Sequence, residues 1–245
     1  MTVASDTTTS EREETGSAAH TAGEPRWLRP VLVAVAALGL LMLGAAAGLL
    51  LRLPGTQTST PSLDSVDVGF AQDMSVHHEQ AVEMASWVRD HSTDPVIRQL
   101  AYDIESSQTA QIGRMQGWLA LWNAPGLPLN GHMAWMRDAP GHAAHRPDPV
   151  TGAVKTMPGM ATAEELRQLR AATGRDLDVL FLQLMLRHHQ GGVPMMEYAA
   201  ERASVPDVRN LASQMLLTQT NETEYMKRLL AERGAQPLPA PVGGR

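Results

Sequence analysis

Phe70-Ala-Gln-Asp-Met-Ser-Val-His-His-Glu-Gln-Ala-Val-Glu-Met84 is the stretch that decides the fold, because it occurs twice in the chain. The second copy, 111 residues later, reads Phe181-Leu-Gln-Leu-Met-Leu-Arg-His-His-Gln-Gly-Gly-Val-Pro-Met195. Identities at the same offset continue downstream, at Pro95/Pro206, Arg98/Arg209, Leu100/Leu211, Ala101/Ala212, Gln108/Gln219, Met115/Met226 and Leu119/Leu230. A repeat at a fixed offset indicates one supersecondary unit that is used twice.

The composition narrows the classes of function. A net charge of −6 over 245 residues gives no basic surface of the kind that nucleic acid requires. Because the chain has no cysteine, disulfides, thiolate metal sites and thiol nucleophiles are excluded. A Gly-x-Ser-x-Gly motif and a phosphate-binding glycine loop are also missing, which disfavours hydrolysis by an activated nucleophile. Fourteen methionines and nine histidines remain as abundant metal-ligating side chains.

The uncharged segment Val31–Leu51 is rich in Leu, Ala, Val and Gly. As a helix it spans the ~30 Å hydrocarbon core of a bilayer, so we predict a transmembrane signal anchor. Arg26 and Arg29 precede it, which favours a cytoplasmic N-terminus and an extracytoplasmic C-terminal domain. The alternative is a secretory signal peptide that is cleaved near Ala47.

Both copies of the repeat show the apolar spacing of amphipathic helices. Asp94-Pro95 and Val205-Pro206 mark new helices, since proline is favoured at the first helical position. Thr162-Ala-Glu-Glu165 is a capping box. The predicted helices cover about 65–91, 95–121, 162–172, 175–203 and 206–233. Two helical hairpins joined by a crossover predict an all-α four-helix bundle with approximate twofold symmetry.

These elements predict the organisation of the whole chain. A disordered tail (1–30) precedes the membrane helix (31–51), and a flexible tether (52–63) follows it. The folded domain covers 64–233, with repeats at about 65–121 and 175–233 and a His/Met-rich crossover at 122–174. A second disordered tail covers 234–245.

An adjacent histidine pair lies at the centre of each copy, His77-His78 and His188-His189. On a helical wheel the two histidines of a pair fall roughly 50° to either side of the apolar stripe, so both can face the interior. Polar residues on the apolar stripes of the other two helices also need buried partners, and the histidines are the most available ones. These residues are Gln108, Gln111, Gln219 and Glu222.

Two interpretations of this pattern are open. One is metal coordination by imidazole and thioether, with Gln and Glu orienting the rings. The other is a hydrogen-bonded core network that packs against methionine. Ligands without cysteine favour copper over iron, calcium or magnesium, with zinc as the alternative. A di-iron bundle requires Glu-x-x-His motifs, and no Glu stands three residues before any paired histidine.

The candidate metal ligands fall into two groups. Those of the bundle are His77, His78, His188, His189, Met74, Met84, Met185, Met195, Met115, Met226 and Glu222. Those of the crossover are His132, Met133, Met136, His142, His145, Met157 and Met160. Met-x-x-Met and His-x-x-His spacings in a Pro/Gly-rich loop can gather ligands around a soft cation, although an accident of composition also explains them.

The doubled His-His motif and the segment Met157-Pro-Gly-Met-x-Thr-x-Glu-Glu-Leu166 resemble a bacterial exported family, known as domain of unknown function three-zero-five. The resemblance covers about 64–233. It implies a ferritin-like fold of two helical hairpins, and some members of the family are periplasmic or secreted copper-binding proteins linked to copper resistance. Its signature residues in this chain are His77, His78, His188 and His189, with Met74, Met84, Met185 and Met195. Gln111 departs from the acid that the family often has at this position.

We therefore predict a membrane-anchored, extracytoplasmic bundle that binds or buffers copper ions through His and Met and has no nucleic-acid partner. A metal-dependent oxidase or hydrolase of the bundle type is one alternative, and a structural or interaction module without metal is another.

Overall fold

A computed structural model describes residues 27–51 and 60–241, which belong to two compact units. The first unit contains helix α1 (Leu28–Leu51). Its segment Leu28–Leu49 has a mean hydropathy of 2.4 and is long and apolar enough to cross a membrane, which fits an anchor or a signal peptide. Most of the predicted N-terminal tail and tether, and the end of the C-terminal tail, lie outside the described residues.

The second unit is formed by helices α2 to α6 and is all-α, as predicted. The long helices are α2 (Val66–His91), α3 (Pro95–Leu121), α5 (Gly174–Arg202) and α6 (Pro206–Glu232), and the short α4 (Ala163–Ala171) precedes α5. Helices α2 and α3 form one hairpin, α5 and α6 form the other, and α2 packs against α5 between them. The predicted four-helix bundle of two hairpins is confirmed.

Local side-chain chemistry explains where two of the helices begin. Asp94 Oδ1 accepts hydrogen bonds from the amides of Val96 (2.9 Å) and Ile97 (3.4 Å) and so caps α3. The predicted capping box starts α4, where Thr162 and Glu165 satisfy each other's amides. Glu165 also forms a two-bond ion pair with Arg187 of α5, with both N–O distances at 2.7 Å, and this guanidinium lowers the pKa of Glu165 to about 2.

Methionines divide between two apolar clusters of the core. Met74 and Met195 belong to one cluster, and Met84 and Met185 belong to the other. In each copy of the repeat, the first methionine lies three residues before the histidine pair and the second lies just beyond it. Each cluster therefore combines the start of one copy with the end of the other, so α2 and α5 run antiparallel with the histidines between the clusters.

Two buried aspartates join the hairpins to each other. Asp67, at the start of α2, accepts hydrogen bonds from the Ser204 amide (3.0 Å), the Ser204 hydroxyl (2.7 Å) and the Val205 amide (2.8 Å) in the turn between α5 and α6. Asp178, at the start of α5, accepts a bond of 2.6 Å from the hydroxyl of Ser92 in the turn after α2. The two aspartates are separated by the repeat offset, so they are equivalent positions.

We expect Asp67→Ala to lower the free energy of unfolding by about 2–3 kcal/mol, because two amides and a hydroxyl lose a charged acceptor. Glu79→Ala is the control, since Glu79 is an exposed acid of the same helix and its loss should change stability by less than about 0.5 kcal/mol. Urea denaturation of the full-length protein in detergent measures both. Equal stabilities of the two variants would contradict this assignment of Asp67.

Candidate metal centre

The four paired histidines meet in the centre of the bundle. Each is at most 1% exposed to solvent. The rings of His77 and His188 pack on each other, with centroids 3.8 Å apart and an angle of 36° between the ring planes. The positions of these histidines on the helical wheel predict that both rings of each pair can face the interior, and the burial of all four confirms this.

Three of the four rings are oriented by an acceptor oxygen at Nε2. His78 Nε2 lies 2.7 Å from Gln111 Oε1, and the equivalent His189 Nε2 lies 2.6 Å from Glu222 Oε2. His77 Nε2 lies 3.2 Å from the main-chain oxygen of Pro158. Since these oxygens accept, each Nε2 carries the proton and donates, and each Nδ1 keeps its lone pair.

The Nδ1 atoms of all four rings are buried, and none has a hydrogen-bond partner among the residues that the structure describes. His188 Nε2 is also buried and has no hydrogen-bond partner among these residues. Buried polar atoms are normally paired, so these lone pairs need an explanation. Within the same residues, no three side chains of His, Asp or Glu come close enough together to hold a metal ion. A metal bound here would therefore have at most two such ligands from these residues, and any further ligand would be of another kind, such as a thioether.

Burial keeps the rings of His77, His78 and His188 uncharged. It lowers the pKa of His77 to about 4 and that of His78 to about 3, and the neighbouring histidines add to both shifts. Burial and the nearby His77 also lower the pKa of His188 well below its usual value. Neutral imidazole is the form that ligates a metal, so at neutral pH the lone pairs of these three rings are available.

The segment Met157–Met160 of the crossover lies directly against α5. A methyl group on Gly191 would lie 2.1 Å from the Pro158 carbonyl oxygen, so only glycine permits this approach. Gln80 of α2 fixes Ala161, the residue after this segment. Its side chain accepts a hydrogen bond from the Ala161 amide (2.6 Å) and donates one to the Ala161 carbonyl (2.9 Å). The crossover thus reaches the histidine pairs at Pro158, with Met157 buried and Met160 half-buried beside it.

The earlier part of the crossover is held by Asp73 of α2. This buried carboxylate accepts hydrogen bonds of 2.7 Å from His132 Nδ1, the Met133 amide and Trp135 Nε1. His142 Nε2 donates to the Gly152 carbonyl at 2.7 Å. Met133 and Met136 are buried in the cluster that contains Met74, and His145 is partly exposed. Two of the three crossover histidines therefore make contacts that fix the loop.

Asp73 and Gln80 were not singled out from the sequence, although a signal existed. At the repeat offset, Asp73 corresponds to Leu184 and Gln80 corresponds to Gly191. A polar residue opposite leucine or glycine marks a place where the twofold symmetry is broken, and the crossover docks at both. The predicted polar partners also divide: Gln111 and Glu222 bond the histidines, whereas the buried Gln108 has no partner among the described residues.

Comparison with known proteins gives the following matches. The family model described as "Domain of unknown function (DUF305)" matches residues 67–230. A DUF305 protein from Streptomyces coelicolor, thought to be secreted, is 43% identical, with a TM-score of 0.64 over 73% of this chain and 99% of its own. A DUF305 fragment from Deinococcus radiodurans is 31% identical, with a TM-score of 0.53 over 68% and 96%.

CopM, whose structure was solved in Cu(I)-bound and Cu(II)-bound forms, is a more distant match. The two forms are 22% and 21% identical to this chain, with TM-scores of 0.50 and 0.51. They cover 68% and 69% of this chain, and 96% and 97% of CopM. This likeness shows a common fold. No curated protein matches the sequence.

Proposed function

The chain belongs to the DUF305 family, and from this premise we propose that it binds soft metal ions, with copper as its cargo, outside the cytoplasm. The observation that carries the proposal is the set of buried Nδ1 atoms on the four paired histidines, which have no hydrogen-bond partner within residues 27–51 and 60–241. Three of these rings have Nε2 fixed by an oxygen, as in metal sites where the other ring nitrogen orients the ligand.

Methionine supplies the second type of ligand in this proposal. Met74 and Met84 flank the first histidine pair, Met185 and Met195 flank the second, and all four are buried. Thioether and neutral imidazole suit Cu(I) better than hard cations, and zinc is a weaker fit because thioethers are not among its usual ligands. The copper-bound forms of CopM, which shares the fold, support copper as the cargo.

Residues of the crossover and of helices α3 and α6 complete the proposed set of ligands and ring-orienting residues. Met157 and Met160 are candidates for direct ligation because their segment bonds His77 through Pro158. Met115 and Met226 lie in the two flanking clusters, and Glu222 orients His189. His132 and His142 have the weaker claim, because Asp73 and Gly152 already use one nitrogen of each.

The proposed location is the outer face of the cytoplasmic membrane. Helix α1 serves as a signal anchor in this proposal, with the N-terminus in the cytoplasm and the bundle outside. A buffering or resistance role follows, because a buried His/Met site retains copper in an oxidising compartment, where thiols would not stay reduced. Release after cleavage near Ala47 is the alternative, and the Streptomyces relative favours an extracytoplasmic position in both cases.

A core network without metal is the second candidate function of these histidines. The direct packing of the His77 ring on the His188 ring favours it, as does the lack of three clustered His, Asp or Glu side chains in the part of the chain that the structure describes. In this case the bundle is a structural module, and the flanking methionines only fill space.

Substitution by glutamine separates the two candidates. In His77→Gln/His189→Gln the new amide can donate from about the place of Nε2, so the bonds to Pro158 and Glu222 can persist while both Nδ1 ligands are lost. Copper at about 100–1,000 times Kd should stabilise the wild-type protein by roughly 3–4 kcal/mol and the double variant by clearly less, because only the Nδ1 atoms of His78 and His188 remain.

Thermal melts of the full-length protein in detergent with Cu(I), Cu(II), Zn(II) and Fe(II) measure this effect. His91→Gln is the control, because His91 is exposed and its contacts with Trp87, a hydrogen bond to the carbonyl and ring stacking, lie outside the histidine cluster. A full copper shift in the double variant would mean that His77 and His189 do not bind the ion, and would leave His78, His188 and the crossover as its candidate ligands. No shift of the wild type with any metal would leave the core network as the function of the histidines.

A further inference from the structure

Resting on the proposed function, we infer that Glu222 makes the two halves of the bundle unequal, so that copper ligated by His189 is bound more tightly than copper ligated by His78. The first ion would then occupy the second half. Glu222 is in this inference a positioning residue for His189, and Gln111 is its weaker counterpart for His78.

The geometry of the two halves is matched closely enough to isolate this difference. Gln111 and Glu222 are equivalent positions of the repeat. Each accepts a hydrogen bond from Nε2 of the second histidine of its pair, Gln111 from His78 at 2.7 Å and Glu222 from His189 at 2.6 Å. Both rings are completely buried, and both have an Nδ1 with no partner among the described residues. An amide oxygen in one half and a carboxylate oxygen in the other is therefore the chemical contrast at this contact.

A carboxylate changes the ligand in two ways. It increases the electron density of the imidazole that donates to it, which makes Nδ1 a stronger donor to a metal. It also supplies a negative charge beside a cation that would otherwise be buried without compensation. An amide gives only the hydrogen bond. Removal of such a partner typically weakens metal binding by about 10- to 100-fold.

The charge of Glu222 is available for this purpose. Of the ion pairs formed by residues 27–51 and 60–241, none joins Glu222 to a lysine or arginine; its partner is His189. Two other carboxylates are engaged elsewhere, since Asp73 accepts three bonds from the crossover and Glu165 pairs with Arg187, and Glu79, next to His78, is exposed to solvent. One carboxylate neutralises one charge, so the His189 position suits a monovalent ion such as Cu(I) better than a divalent one.

Exchange of the two partner residues tests the inference. Cu(I) affinity is measured anaerobically, by competition with a chromogenic Cu(I) chelator, for the full-length wild type, Glu222→Gln, Gln111→Glu and the double exchange Gln111→Glu/Glu222→Gln. We expect Glu222→Gln to weaken the tightest Cu(I) binding by about 10- to 100-fold, and the double exchange to restore it. The substitutions conserve side-chain size, and the melting temperature without metal checks the fold of each variant.

Glutamine at the histidines then locates the tight site. In the wild type, His189→Gln should remove the tightest binding and His78→Gln should spare it. In the double exchange the roles of the two histidines should reverse. Equal losses from both histidines, or a Glu222→Gln affinity within twofold of wild type, would overturn the inference while the proposed function stands. Failure of the wild type itself to bind Cu(I) would instead overturn the proposed function.

Discussion

Gly191→Ala should lower the free energy of unfolding by about 2–4 kcal/mol, which is a large loss for the addition of one methyl group. The new carbon would lie 2.1 Å from the Pro158 carbonyl oxygen and 2.6 Å from the Gly159 amide nitrogen. Both are backbone atoms, so no side-chain rotation relieves the clash. The crossover has to move away from α5, and the bond from His77 to Pro158 is lost.

Gly113→Ala is the matched control, because it makes the same change within a helix at a position where, apart from the adjacent backbone of that helix, the new carbon has no atom within 4 Å. Alanine is there the better helix former, so this variant should gain about 0.5–1 kcal/mol. Urea denaturation followed by tryptophan fluorescence gives both values. If the two substitutions have the same sign, the crossover is not seated against Gly191 in solution.

Acidification should destabilise the bundle steeply between about pH 6.5 and pH 4. The folded-state pKa values of His77 and His78, about 4 and about 3, lie below the ordinary value of 6.5, and that of His188 is also lowered. In this window the histidines of the unfolded chain become protonated while those buried in the folded chain stay neutral. The free energy of unfolding therefore falls as the pH falls. Each histidine contributes roughly 1.4 kcal/mol per pH unit, and a typical domain has only about 5–15 kcal/mol in total.

Protonation of Glu165 does not account for the loss of stability in the upper part of this pH range, above its ordinary pKa of 4.5. The pKa of Glu165 is lowered to about 2, so its contribution is complete above its ordinary value of 4.5 and is lost only below it. Urea midpoints at a series of pH values between 7.5 and 4.5 measure the slope. His78→Gln should reduce the slope by close to one proton, and the exposed His91→Gln should leave it almost unchanged. A flat profile from pH 7.5 to 5 would contradict neutral burial of the histidines.

The elements set by local chemistry could be predicted from the sequence. Helix spacing, the cap of Asp94 and the capping box of Thr162 depend on residues within a few positions of each other, and all are present in the structure. The burial of both histidines of each pair followed from their angle to the apolar stripe. These features depend on periodicity, which one sequence displays fully.

The residues against which the crossover packs could not be predicted in the same way. Asp73, Gln80 and Gly191 contact residues of the crossover that lie tens of positions away along the chain, and no periodic pattern encodes which loop residue meets them. The same holds for the bond of Asp67 to the turn at Ser204. Only the departures from the repeat gave a clue to the docking sites, because symmetry has to fail where one loop covers a twofold arrangement.

The reciprocal aspartates also describe how the two halves recognise each other. Asp67 of the first hairpin binds the turn of the second, and Asp178 of the second binds the turn of the first. In an isologous interface between two copies, residue i of the first copy contacts residue j of the second, and residue i of the second contacts residue j of the first. The bundle is thus built like a homodimer of hairpins within one chain, in which covalent linkage lets one copy carry a carboxylate at Glu222 while the other carries an amide at Gln111.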